Sequence, residues 1–316
     1  MTRLFKVALT ATSALLLAVL LFIALHPGPA RAFVHRYLSS RSDKFEPRLA
    51  SSGANALPSV IFWAWERPED LRFLDAHQAA VAFLAKTIYL TTQRSASDAS
   101  PVASFVVRPR LQPLGIAPGS QLIAVVRIET QPTPRLAPAS LHRANSSATI
   151  SYSADLRDSL ASEISDLQYI PGVTAIQIDF DATTRQHSFY AALLQDVRRK
   201  MSASVPLSIT ALASWCIGDP WLAQLPSGTI DEAVPMLFRM GPASGDVVKF
   251  LRSGHDFPVA SCRASLGLST DEPLSQMLLN DKLPGFSAPL RSKRIYIFTP
   301  RAWTQSVAQK ILKELH

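Results

Sequence analysis

The chain has 316 residues, of which 47% are hydrophobic and 18% charged, and its formal net charge is +8. That apolar content supports a sizeable core without disulfides, and the low charge argues against a disordered or coiled-coil chain. Glycine (12) is scarcer than proline (23), and no glycine-rich phosphate loop, Gly-x-Ser-x-Gly elbow, His-Glu-x-x-His or Cys-x-x-Cys occurs, which argues against nucleotide-loop enzymes and familiar zinc sites.

Arg3 and Lys6 precede an uncharged apolar run from Val7 to Leu25, followed by His26-Pro27-Gly28-Pro29 and Ala30-Arg31-Ala32. A basic start, an apolar stretch and small residues at the cleavage positions describe a signal peptide over 1–32. The run is also just long enough to span a bilayer, so an uncleaved anchor, with residues 7–25 as a membrane tether, is the alternative. Both readings place the rest of the chain in the periplasm or outside the cell. Residues 33–57 are basic, serine-rich and without periodicity, as in a linker, and the folded domain is expected over 58–316. Arg3, Lys6 and Arg31 supply part of the net charge, and no basic-aromatic motif is present, so no nucleic-acid partner is expected.

From Pro58 onward short apolar runs alternate with helical patterns. Val60–Trp65 reads as a strand, and Pro68-Glu69-Asp70 resembles a helix start. Ala80–Leu84, Thr87–Leu90, Ser104–Val107 and Leu122–Ile128 are further strand-like runs. Leu156, Leu160, Ile164 and Leu167 fall on one helix face; Ala175–Asp181 is a strand. Phe189, Leu193, Val197 and Met201 recur every four residues on a helix that ends in Arg198-Arg199-Lys200, as the helix dipole favours. Leu207–Leu212, Ala233–Met240, Arg263–Leu268 and Arg294–Phe298 are strand-like, with a short helix at Val247–Leu251. Trp303, Val307 and Ile311 mark the last helix. Pro235 sits awkwardly inside a strand. Alternating strands and helices of this length predict an α/β domain closed as a TIM-like (β/α)8 barrel, with some irregularity, rather than an open sheet with a glycine-rich first turn. On this reading Cys216 follows one strand and Cys262 starts a later one. An oxidising compartment permits a bridge between them; this placement disfavours one, with two buried thiols as the alternative.

The strongest chemical signal is Ala175-Ile-Gln-Ile-Asp-Phe-Asp181. Side chains alternate along a strand, so Gln177, Asp179 and Asp181 share the face opposite Ile176, Ile178 and Phe180. Carboxylates on a covered face are costly, except at the C-terminal mouth of a barrel, where active sites sit. The competing reading makes Asp181 a helix cap, or pairs Asp179 with an arginine. The pattern recurs, however. Glu66, Glu129, Asp219, Asp271 and Glu272 all fall at or beyond strand ends, and Arg127 and Arg239 are cations in similar places. Trp65, Trp215 and Trp221, with Phe238, accompany these charges; Trp63 and Trp303 read as core. Paired carboxylates in a barrel mouth suit glycoside hydrolysis. Asp181, Asp179, Glu129, Asp271 and Glu272 are the catalytic candidates. Glu66, Trp65, Arg127, Gln177, Trp215, Asp219, Trp221 and Arg239 are the candidates for substrate contact. This chemistry requires neither cofactor nor metal. The expected partner is a poly- or oligosaccharide, and the rim arginines favour an acidic one.

Six motifs stand in order: Phe62–Arg67, Ala124–Glu129, Ile176–Ala182, Ser208–Cys216, Asp231–Gly241 and Gly267–Pro273. Together they resemble the bacterial family named domain of unknown function 3142 over roughly residues 58–305. The resemblance implies a barrel similar to glycoside hydrolases, without an assigned reaction. The Ile-Asp-Phe-Asp strand is also similar to the fourth strand of chitinase-like barrels. Those enzymes carry a Glu acid two residues beyond the last Asp; here Thr183 stands there. A non-catalytic saccharide-binding barrel and a cell-envelope scaffold are the alternatives to a hydrolase.

Overall fold

The computed structural model of the chain describes residues 57–93, 102–130, 152–279 and 292–315. The export segment and nearly all of the linker lie outside these residues. Within them no helix is long and apolar enough to cross a membrane.

Strand β1 (Val60–Ala64, VIFWA) is buried at every position, as a strand covered on both faces must be. It pairs in parallel with β3 (Ala79–Gln93) on one side and with β11 (Arg294–Phe298) on the other. The ring continues from β3 through β6 (Leu122–Thr130), β7 (Val173–Asp179), β8 (Leu207–Leu212), β9 (Glu232–Met236) and β10 (Ser265–Ser269) back to β11. The eight strands close a parallel barrel.

The second half of the barrel is regular. Helix α1 (Ala154–Ser165) begins where the Ser153 side chain accepts the Leu156 N–H at 3.1 Å, and it buries Leu160, Ala161 and Ile164. Helix α2 (His187–Lys200) buries Phe189, Tyr190, Leu193, Leu194 and Val197. Two short helices, α3 (Ala213–Ile217) and α4 (Pro220–Ala223), follow β8; α5 (Ser244–Arg252), α6 (Pro273–Leu279) and α7 (Gln305–Leu315) complete the set. Each fully buried Leu or Val contributes about 1.5–3 kcal/mol to holding these layers together. The last helix buries Ala308, Ile311, Leu312 and Leu315; Val307 is exposed and Trp303 precedes the helix.

The first half departs from the pattern. Among the described residues no helix separates β1 from β3 or β3 from β6. Pro68-Glu69-Asp70 opens no helix: β2 (Glu69–Leu71) pairs with β5 (Leu114–Ile116), and β4 (Val102–Pro109) runs antiparallel to the outer part of β3. The buried Glu69 carboxylate accepts from the Arg67 guanidinium (2.6 Å) and the Trp303 N–H (2.9 Å). Arg110, also buried, donates to the carbonyls of Ala64, Trp65, Arg67 and Gln112, replacing helix packing with a clamp on the loop after β1. The runs Ala80–Leu84 and Thr87–Leu90 are one strand. Its register against β6 shifts between Leu84 and Lys86, and that bulge resets the alternation seen in the sequence.

Pro235 is accommodated within β9. Leu237 sends its N–H to Gly267 on β10 (2.8 Å), so Pro235, two residues earlier, faces the same way. Its missing donor falls where β9 and β10 share one ladder pair, Met236 with Gly267. At Gly267 an added Cβ would meet the Trp63 ring at 3.1 Å, so the glycine makes room for that indole inside the barrel. Cys216 and Cys262 form a disulfide with Cα atoms 5.9 Å apart, correcting the expectation that strand geometry keeps them separate. Helix α3 and the turn at Ala260–Cys262 both contact β9, so the two sulfurs meet beside that strand.

Candidate active site

The inward faces of the strands fix the site. Val125 pairs with Gln177 and Arg127 with Asp179 across β6 and β7, and Gln177 pairs with Ser208 across β7 and β8. Inward side chains therefore stack in levels. At the lower level Gln177 is fully buried, accepting from the Trp63 indole (2.8 Å) and donating to the Ser208 hydroxyl (3.2 Å). Glu232 lies in the same lower region, bound by the Arg294 guanidinium (2.7 Å) and the Tyr296 hydroxyl (2.8 Å). Gln177 thus belongs to the barrel's floor, which corrects its reading as a substrate contact.

Above it, at the C-terminal ends of the strands, lies a cavity of about 400 Å³. Trp65, Arg127, Asp179, Asp181 and Arg239 all line it, with Thr210, Met236, Phe238 and Phe298. Asp179 is half-buried and accepts a hydrogen bond from the Thr210 hydroxyl at 2.7 Å. Burial pushes its carboxyl up to about 6 against the pull of that bond; Asp181 and Glu129 push the same way and Arg127 opposes them. Asp181 is exposed, and desolvation also raises its carboxyl, with Arg127 pulling it down. Glu129 does not line the cavity, yet its ion pair with Arg127 (2.8 Å) joins it electrostatically to the two aspartates.

Aromatic rings form the opposite wall. Phe238 and Phe298 stack with centroids 5.6 Å apart, and Trp65 meets Phe298 edge-on at 6.3 Å. The Arg127 guanidinium lies 5.5 Å from the Trp65 ring centre, and that of Arg239 lies 5.2 Å from Phe298. Such pairings hold a guanidinium in place while leaving its edge available to a ligand.

The remaining candidates lie elsewhere. Glu66 pairs with Arg108 on β4 and does not line the cavity. Asp271 borders a separate depression with Thr299 and Arg301 and accepts from the Ser269 hydroxyl; Glu272 leads into α6. Trp221 is buried, stacked on His187 (4.8 Å) and edge-on to Trp215 (5.0 Å), so it packs in the core and does not line the cavity. Trp215 is equally buried. With Asp219 it borders a second depression of about 720 Å³ that shares Leu212, Ser214 and Val247 with the first. Asp219 caps α4 by accepting the Trp221 N–H (3.3 Å). The Thr183 N–H and hydroxyl both donate to Gln186, closing the turn before α2. Thr210 and Phe298 were not anticipated as site residues, although both have the inward parity of their strands. Among the described residues no three His, Cys, Asp or Glu side chains converge as metal ligands would.

No family model matches the chain, and no curated protein matches it. Among solved structures, it is similar to a Streptomyces coelicolor protein assigned as chitinase A, at 9% identity over 82% of this chain and 97% of that one, with a TM-score of 0.47. A family GH18 chitinase from Chromobacterium violaceum matches at 10% identity over 83% of each chain (TM-score 0.44). The Bacillus cereus spore cortex-lytic enzyme SleL matches at 11% identity over 82% and 75% of the two chains (TM-score 0.43). At these identities the likeness is one of barrel architecture, which the strand order already establishes.

Proposed function

We propose that the protein is an exported glycoside hydrolase that cleaves a poly- or oligosaccharide at the C-terminal mouth of its barrel. One observation carries this reading: Asp179 and Asp181 share a cavity with aromatic rings, and burial keeps the Asp179 proton to about pH 6. A carboxyl that holds its proton near neutrality is suited to general-acid work. In this scheme Asp179 gives its proton to the glycosidic oxygen as the bond to the anomeric carbon breaks, leaving a sugar hydroxyl. Asp181 stabilises the positive charge that develops at the anomeric carbon, or takes a proton from the water that adds there. Arg127 balances the negative charge of Glu129 and the aspartates, and Trp65 and Phe298 offer flat faces to sugar rings. The two arginines of the cavity favour a substrate with acidic groups.

With Thr183 in place of the acid of chitinase-like barrels, the general acid has to come from the strand itself. The same departure favours the second reading, a barrel that binds saccharide without cleaving it. The Cys216–Cys262 disulfide supports a periplasmic or secreted location, with residues 7–25 as a removed signal or a retained tether. The six ordered motifs support membership of the domain of unknown function 3142 family.

The test is reducing-end release from a panel of bacterial exopolysaccharides. Asp179→Asn and Asp181→Asn should each cut turnover by about 10²–10⁴-fold while leaving a cooperative thermal transition. Undiminished turnover in both variants would overturn the assignment. Saccharide binding without products would transfer the protein to the second reading.

A further inference from the structure

The mouth holds two arginines in different electrostatic circumstances. Arg127 is engaged internally: its guanidinium pairs with Glu129, and its charge acts on Asp179 and Asp181. Arg239 has no carboxylate partner among the described residues. Its guanidinium rests on Phe298, and the side chain is exposed to the cavity.

The backbone makes the contrast sharper. Arg239 has a φ of 53°, and it is the one non-glycine residue with positive φ among the described residues. Long side chains rarely adopt this conformation, which glycine or asparagine accepts at lower cost. Leu237, buried and bonded to Gly267, anchors one side of the turn; Gly241, with a φ of 58°, ends the other. The chain thus places an arginine where the local geometry favours glycine, and no internal ion pair accounts for it.

We propose that Arg239 determines specificity by binding an anionic substituent, in the first instance a carboxylate, on a sugar seated against Phe238, Phe298 and Trp65. The planar guanidinium edge presents parallel N–H donors that match a carboxylate, while its face is occupied by Phe298. This inference rests on the saccharide reading of the cavity but not on hydrolysis. Arg239 belongs to the loop after β9, two strands round the ring from the aspartates of β7.

The experiment measures binding in the full chain carrying Asp179→Asn, chosen to suppress turnover. The probes are oligomers of glucuronate, galacturonate and mannuronate, their methyl esters, and sulfated oligosaccharides of similar length. At least one carboxylate form should bind about ten-fold or more tightly than its ester, the worth of one good charge-assisted contact. Arg239→Gln should bring that ratio close to one, and Arg239→Lys should leave it intermediate. Circular dichroism of each variant checks that the fold is kept. A preference for sulfated over neutral oligomers, also lost in Arg239→Gln, would retain the assignment and name sulfate as the anion. Binding with no dependence on the anion, or a dependence that Arg239→Gln leaves intact, overturns it while the saccharide reading stands. Anion-dependent binding by an intact enzyme that releases no products defeats hydrolysis and leaves the role of Arg239 in place. No binding by any probe overturns both.

Discussion

Both ends of the barrel interior carry ionisable side chains, but the two ends treat them differently. At the floor, Glu232 is held by Arg294 and Tyr296, and Gln177 by Trp63 and Ser208. At the mouth, Asp179 accepts from Thr210, Asp181 is exposed, and Arg239 rests on the Phe298 ring with no carboxylate partner among the described residues. Saturated polar groups stabilise a fold; polar groups with spare capacity in a cavity are available to a ligand. The strands are the same in both places, so depth along the barrel separates structure from chemistry.

Removing a floor carboxylate should therefore be costly, and removing a mouth carboxylate should not. Glu232→Ala removes the buried carboxylate that accepts from Arg294 and Tyr296 and should destabilise by about 3–5 kcal/mol, read from denaturant midpoints. Asp179→Asn should do the opposite, stabilising by about 1–2 kcal/mol at pH 8 while turnover collapses. The sign follows from the raised carboxyl. Between its ordinary value of 3.8 and about 6 the folded state binds a proton that the unfolded state has lost. Stability contributed by Asp179 therefore falls as pH rises through that window. The gain from Asp179→Asn should be full above pH 6 and vanish below pH 4. A gain of equal size at pH 3.5 would contradict the burial of this carboxyl. Turnover should likewise decline as pH rises past about 6, and a profile flat from pH 5 to 8 would remove Asp179 from the acid role.

Two structural substitutions sharpen the same division. Cys216→Ser with Cys262→Ser should cost about 2–4 kcal/mol, seen as a lower thermal midpoint. Gly267→Ala drives a methyl against Trp63, itself hydrogen-bonded to Gln177, and should cost about 1–3 kcal/mol. If Gly267→Ala also weakens saccharide binding, the floor and the mouth are mechanically coupled through Trp63. Unchanged binding would show them independent.

The barrel was legible because most of its strands are short and apolar, and those of its second half are separated by helical patterns. The site was legible in part because strand parity is fixed covalently: Gln177, Asp179 and Asp181 must share a face, and so must Arg127 and Glu129. Parity does not report depth, which is why Gln177 read like its neighbours although it lies a level below them. Thr210 and Phe298 enter the site only when β8 and β11 close the ring, a non-local event. Asp271 follows a strand end like Asp181, but the chain turns it towards α6 and α7. Trp221 resembled a loop aromatic until His187 and Trp215 packed around it. The disulfide was misjudged because strand ends were used as a guide to distance, whereas α3 and the turn before β10 both reach β9.

That disulfide also governs how the protein has to be handled. Cys216 lies two residues beyond Ser214, which stands between the two depressions, and its bond to Cys262 is the one covalent tie holding that stretch of wall. Protein produced in a reducing cytosol would emerge with this tie open and the wall of the cavity slack. A substrate screen run on such material would return zeros that report the preparation rather than the chemistry. Production should use an oxidising compartment, with free-thiol titration to verify bond closure before any glycan is scored as a non-substrate.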